Sequence, residues 1–130
     1  MSRVQLALNV SDLDSAIGFY SKLFATAPAK VRPGYANFAV ADPPLKLVLF
    51  EGGGAPGSIN HLGVEVDEAA KVGEATARLS QQGLATATED EVSCCYAVQD
   101  KVWVEGPDGE SWEVYTVLAD AESSGACACS

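Results

Sequence analysis

The sequence predicts an α+β protein in which two β-α-β-β-β modules form a concave mixed sheet, and three observations carry that expectation. Short segments alternate apolar and polar residues with the period of a strand, and two longer ones carry an apolar stripe at helical spacing. The opening of the chain recurs at an offset of 56 residues, which marks an internal duplication. Glycine and proline clusters fall where such modules need their turns.

Taken in order, Val4 to Val10 alternate as a strand, and Ser11-Asp12 follow as a capping signal. Leu13, Ile17, Tyr20 and Phe24 then recur at helical spacing and predict an amphipathic helix. A short strand is expected at Lys30 to Arg32, and two longer ones at Tyr35 to Val40 and Leu45 to Phe50, parted by Asp42-Pro43-Pro44. The glycine-rich Gly52 to Gly57 closes this half. Beyond it, Asn60-His61-Leu62-Gly63-Val64-Glu65-Val66 aligns with Val4-Gln5-Leu6-Ala7-Leu8-Asn9-Val10, so His61 is set against Gln5. A helix from about Glu68 to Gln82 follows, with Val72, Ala75 and Leu79 on one face and Gly83 as its stop. Strands are expected at Ser93 to Val98, Lys101 to Glu105 and Ser111 to Val117, with Gly106-Pro107-Asp108-Gly109 as a turn and Thr88 to Glu91 as an acidic loop reaching inward. The 130 residues then form one domain over about 1–118, with modules at about 1–51 and 59–118, and a flexible tail over 119–130.

Composition narrows the partners. Eight basic and 18 acidic side chains give a net charge of −10, which repels nucleic acid and anionic membrane surfaces. No apolar run is long enough to span a bilayer and no signal-like region opens the chain, so a cytoplasmic protein is expected. Adjacent Cys94 and Cys95 are poorly placed to bridge each other, and Cys127 and Cys129 sit at the terminus. Reduced thiols fit this pattern better than a disulfide framework. Because both modules lie on one chain, a monomer can be complete.

Three polar side chains stand on predicted strands: Gln5, its repeat partner His61, and Glu113 within Trp112-Glu113-Val114-Tyr115. An imidazole, a carboxylate and an amide oxygen make a mixed donor set suited to Fe(II), Mn(II), Ni(II) or Zn(II), with coordination positions left open. A hydrogen-bonded structural histidine and a surface glutamine are the ordinary alternatives. Cys94 and Cys95 are either small apolar fillers or a soft chelate, and in a regular strand they point to opposite faces, so joint action needs a loop or bulge.

Val4 to Leu13, Ile17 to Phe24, Asn60 to Val66, Cys94 to Val104, Gly106 to Gly109 and Trp112 to Tyr115 together resemble the carbon-arsenic lyases, which include cadmium-induced proteins, of the vicinal oxygen chelate (glyoxalase/bleomycin resistance/dioxygenase) superfamily. The Cys94-Cys95-Tyr96-Ala97 block joined to Asp100-Lys101-Val102-Trp103-Val104 is its specific part. The resemblance implies an Fe(II) enzyme that uses O2 as co-substrate to cleave the carbon-arsenic bond of trivalent organoarsenicals such as methylarsenite, giving arsenite. It implies Gln5, His61 and Glu113 as metal ligands, and Cys94 and Cys95 as the thiols that hold arsenic. Many relatives carry histidine where Gln5 stands, a departure that bears on the metal. Tyr96, Gln99 and Lys101 are candidates for shaping the pocket. Two other readings share the architecture: a protein that sequesters a drug or soft metal without turnover, and a glyoxalase-like or extradiol-type enzyme in which adjacent thiols have no part.

Overall fold

The computed structural model describes residues 2–94 and 96–120. In chain order the elements are β1 Arg3–Val10, α1 Leu13–Leu23, β2 Lys30–Arg32, β3 Tyr35–Val40, β4 Leu45–Glu51, β5 Ile59–Glu65, α2 Ala69–Gln81, β6 Ala87–Cys94, β7 Ala97–Glu105 and β8 Ser111–Asp120. The β-α-β-β-β pattern thus occurs twice. The chain resolves into two compact units, Arg3–His61 and the stretch from Leu62, divided within β5.

In the first unit the strand order is β2-β3-β4-β1. β1 runs parallel to β4 with Leu6 opposite Leu47, and β3 runs antiparallel to β4 with Ala36 opposite Leu49. Alternation along each strand sends Leu6, Leu8, Val10, Ala36, Phe38, Val40, Leu47 and Leu49 to one face, where Leu13, Ile17 and Tyr20 of α1, with Phe24 just past its end, cover them. The expected Asp12 cap takes another form. Asp12 makes no side-chain bond to the helix backbone and instead accepts from the Ser15 hydroxyl. Glu51, at the end of β4, accepts from the Leu13 backbone N–H at 2.8 Å, so the helix start is tied to the sheet by a residue distant in sequence.

In the second unit the order is β5-β8-β7-β6, with β5 parallel to β8 and the other pairs antiparallel. α2 lays Val72 and Ala75 against Val102, Val66 and Val114. Three expectations are corrected here. The strand predicted at Ser93 to Val98 does not exist: β6 ends at Cys94, β7 begins at Ala97, and Cys94 pairs opposite Ala97. The chain therefore reverses between them, with Tyr96 at φ 64°. Thr88 to Glu91, predicted as a loop, belongs to β6, whose register shifts between Glu89 and Val92. Glu91 takes φ 50° at that bulge, and its N–H donates to Asp100 Oδ1 at 2.8 Å. β8 continues to Asp120, three residues past its expected end, with Ala119 opposite Val98. Residues 119 and 120 of the expected 119–130 tail are therefore strand, and the rest of it, with Cys127 and Cys129, lies outside the described residues. Among the described residues no helix is long and apolar enough to cross a membrane.

Candidate metal centre

The face of the first unit turned away from α1 is where its polar side chains gather. On β1 the residues alternating with the core positions are Gln5, Ala7 and Asn9, and all three are buried. Gln5 and His61 are only 4% and 3% exposed, and their Nε2 atoms stand 3.2 Å apart. The repeat-related pair expected from the sequence is thus brought into direct contact. On the other side of the imidazole, Nδ1 lies 2.8 Å from Asn60 Oδ1. Phe50 is tilted toward the ring at a centroid distance of 6.1 Å, and Tyr35 meets Phe50 edge-on at 5.6 Å. An imidazole flanked by aromatic surface has little water to compete for it, which favours a strong donor interaction.

Glu113 stands on β8 of the second unit, 2% exposed. Trp112 and Val114 point the other way, as the strand period requires; Val114 packs with the α2 cluster. The carboxylate of Glu113 has its Oε1 2.8 Å from Lys101 Nζ, with both side chains almost wholly buried. The lysine cation also stands 5.3 Å from the Trp103 ring centre and 5.8 Å from that of Tyr115, within range of a cation–π attraction. Cross-strand register explains the grouping, since Trp103 is opposite Glu113 and Lys101 opposite Tyr115. Trp103 is held in turn by Nε1–H donating to Glu89 Oε1 at 2.9 Å, and the Tyr115 hydroxyl reaches Glu65 Oε1 at 3.3 Å. Gln99, two residues before Lys101, is buried as well.

The Lys101–Glu113 pair and the Asn60 contact were not assigned from the sequence. The available signal for Lys101 is a lone cation immediately before the run Val102-Trp103-Val104, in phase with Gln99. No such signal marks Asn60, whose partner is its own neighbour. Cys95 and the side chain of Cys94 lie outside the described residues. Among the described residues no three His, Cys, Asp or Glu side chains gather. The expected donor set contains only two such residues, His61 and Glu113, with the Gln5 amide as the third.

Taken by donor type alone, these side chains are of the kinds that hold a divalent metal. Buried imidazole, amide and carboxylate heads are its customary donors. Rotation of the Gln5 amide about its last bond exchanges the nitrogen that now faces His61 for an oxygen.

Residues 3–114 match the model of the Glyoxalase/Bleomycin resistance protein/Dioxygenase superfamily. The chain is 66% identical over 124 residues to a trivalent organoarsenical cleaving enzyme of Thermomonospora curvata, an alignment covering 95% of this chain and 82% of that protein. It is 64% identical over 125 residues to the cadmium-induced protein CadI of Mycobacterium tuberculosis, covering 96% and 82%. In fold it is similar to the Mn(II)-bound glyoxalase of Novosphingobium aromaticivorans, with a TM-score of 0.65 at 21% identity, covering 97% of this chain and 44% of that one.

Proposed function

Because the chain belongs to the glyoxalase/bleomycin resistance protein/dioxygenase superfamily, we propose that it is an enzyme that cleaves the carbon-arsenic bond of trivalent organoarsenicals. The 66% identity to an organoarsenical cleaving enzyme supports this reading. The observation that carries the metal part is the buried contact between Gln5 and His61, two donor heads 3.2 Å apart.

In this reading Gln5, His61 and Glu113 hold Fe(II), and the two modules work as one domain over about residues 1–118. When bound, the iron supplies open positions at which O2 is activated. Cys94 and Cys95 hold arsenic as thiolates, since trivalent arsenic is soft and two vicinal sulfurs chelate it. Fixing the arsenic this way replaces a bimolecular encounter by a positioned one, worth up to about 7–11 kcal/mol in favourable cases. Lys101 holds Glu113 and matches its charge. Tyr35 and Phe50 shield the imidazole from water.

Methylarsenite is the substrate we propose, and its conversion needs no further reductant: CH3As(OH)2 and O2 together contain the atoms of As(OH)3 and HCHO. Carbon is oxidised while arsenic stays trivalent. The substrate is uncharged near neutrality, so a chain of net charge −10 does not repel it. A cytoplasmic site of action and a monomeric state complete the proposal.

A second reading, sequestration of a soft metal without turnover, draws on the 64% identity to a cadmium-induced protein. Thiols alone suffice for it. The two separate on substitution: with Glu113→Ala, arsenite release from methylarsenite stops while thiol-dependent arsenic binding persists, and Cys94→Ser/Cys95→Ser removes both. A Glu113→Ala protein that protects cells as well as the parent would establish sequestration. Undiminished turnover in the double serine protein would favour a glyoxalase-like or extradiol-type reaction.

A further inference from the structure

A chain of hydrogen bonds runs from His61 back to the glycine-rich turn, and its direction is set at its far end. The Ala55 carbonyl can only accept, and it lies 2.5 Å from Ser58 Oγ, so the single hydroxyl proton of Ser58 is directed there. Ser58 Oγ must then accept from Asn9 Nδ2, at 2.9 Å. That orients the Asn9 amide with Oδ1 toward Asn60, whose Nδ2 donates to it at 3.0 Å. Asn60 is thereby left with Oδ1 facing His61 Nδ1 at 2.8 Å, so Nδ1 must carry the proton. A neutral imidazole protonated at Nδ1 has a bare lone pair at Nε2. The contact on the opposite side of the ring is compatible with this. The atom facing Nε2 there is Gln5 Nε2, an amide nitrogen that only donates.

We propose that Asn60, Asn9 and Ser58 are positioning residues that lock His61 in the tautomer whose Nε2 can ligate a metal. Asn9 is suited to the task because it is held on several sides. Its backbone N–H donates to Ser58 O at 2.9 Å, and its carbonyl accepts from Gly57 N–H at 2.8 Å. The turn also closes tightly over its amide: a Cβ at Gly53 would come within 2.6 Å of Asn9 Oδ1, and one at Gly54 within 2.7 Å of Asn9 Nδ2. Those two glycines therefore have a packing reason to lack side chains. The expected amplitude follows the general behaviour of partners that orient a metal-binding histidine, whose loss costs about 10- to 100-fold in affinity.

The functional weight of this inference rests on His61 being a metal ligand, but the tautomer does not. His61 is the only histidine, so ¹⁵N-histidine labelling of the full chain reports one ring. In the metal-free protein, two-bond ¹H–¹⁵N spectra are expected to show Nδ1 protonated and Nε2 bare. Asn60→Leu and the milder Ser58→Ala should each populate the other tautomer and weaken Fe(II) binding, about 10- to 100-fold for Asn60→Leu and less for Ser58→Ala. Asn60→Asp retains an acceptor for Nδ1–H and should keep the parent tautomer. A parent protein with its proton on Nε2 overturns the inference, as does a folded Asn60→Leu or Ser58→Ala protein with unchanged ring spectra. If the spectra respond as expected while Fe(II) fails to bind the parent protein, the lock stands and the ligand assignment of His61 falls.

Discussion

Lys101 is wholly buried and its cation faces a carboxylate that is itself almost inaccessible. A pair of this kind is costly to desolvate and costlier to break, because removing one charge leaves the other without its partner in a poorly polarisable place. Lys101→Met should lower unfolding free energy by about 3–5 kcal/mol, measured by urea denaturation. Lys101→Met combined with Glu113→Gln should recover much of that loss even though the double variant lacks the proposed ligand. Equal destabilisation of the single and double variants would show that packing, rather than charge, is what Lys101 provides. The residue scale also shows how far the sequence could be read. Gln5 and His61 were legible because a repeat sets two polar heads against each other inside apolar strands, and the structure brings them to 3.2 Å. The partner of Glu113 was not, because it depends on the register that places Lys101 opposite Tyr115 and Trp103 opposite Glu113. Registers follow from turn geometry and bulges, which alternation does not report.

At the level of elements, the start of α1 and the β6–β7 turn behave differently from what local signals suggest. Since Glu51 accepts from the Leu13 N–H, Glu51→Ala should destabilise the protein by about 1 kcal/mol, in the range of a lost helix cap. Asp12→Ala should cost less, because its carboxylate engages Ser15 rather than the helix backbone. Thermal unfolding of the two variants side by side decides between them, and a larger loss for Asp12→Ala would contradict the assignment. At the turn, Tyr96 occupies a left-handed conformation, φ 64°, where a side chain costs about 1–2 kcal/mol relative to glycine. Tyr96→Val, with branching at Cβ, should therefore lower the melting temperature, and Tyr96→Gly should hold or raise it. The observed strand boundaries differ there from those the sequence predicts. Val92 to Val98 contains no glycine, asparagine or proline, so nothing in the sequence marks the reversal after Cys94. The other elements, with Leu13-Ile17-Tyr20 on the helix, Phe24 just past its end and Asp42-Pro43-Pro44 between strands, carry their own punctuation and fall within a residue of where the sequence predicts, except β8, which runs three residues further.

Across the whole molecule, the duplication explains both the economy of the fold and the division of labour proposed for it. Each module builds its own core, Leu13 with Phe38 and Leu49 in one, Val72 with Val102 in the other, and each contributes a buried polar group from the face away from its helix. The central claim is that the metal ligands break the carbon-arsenic bond with O2 while the cysteines only select arsenic. A pentavalent arsenical, anionic and without affinity for thiolates, should accordingly not be turned over. The most direct measurement is arsenite release from methylarsenite by the purified full chain supplied with Fe(II), with and without O2. The account predicts release that requires both and consumes one O2 per arsenite formed; equal release under anaerobic conditions would contradict it.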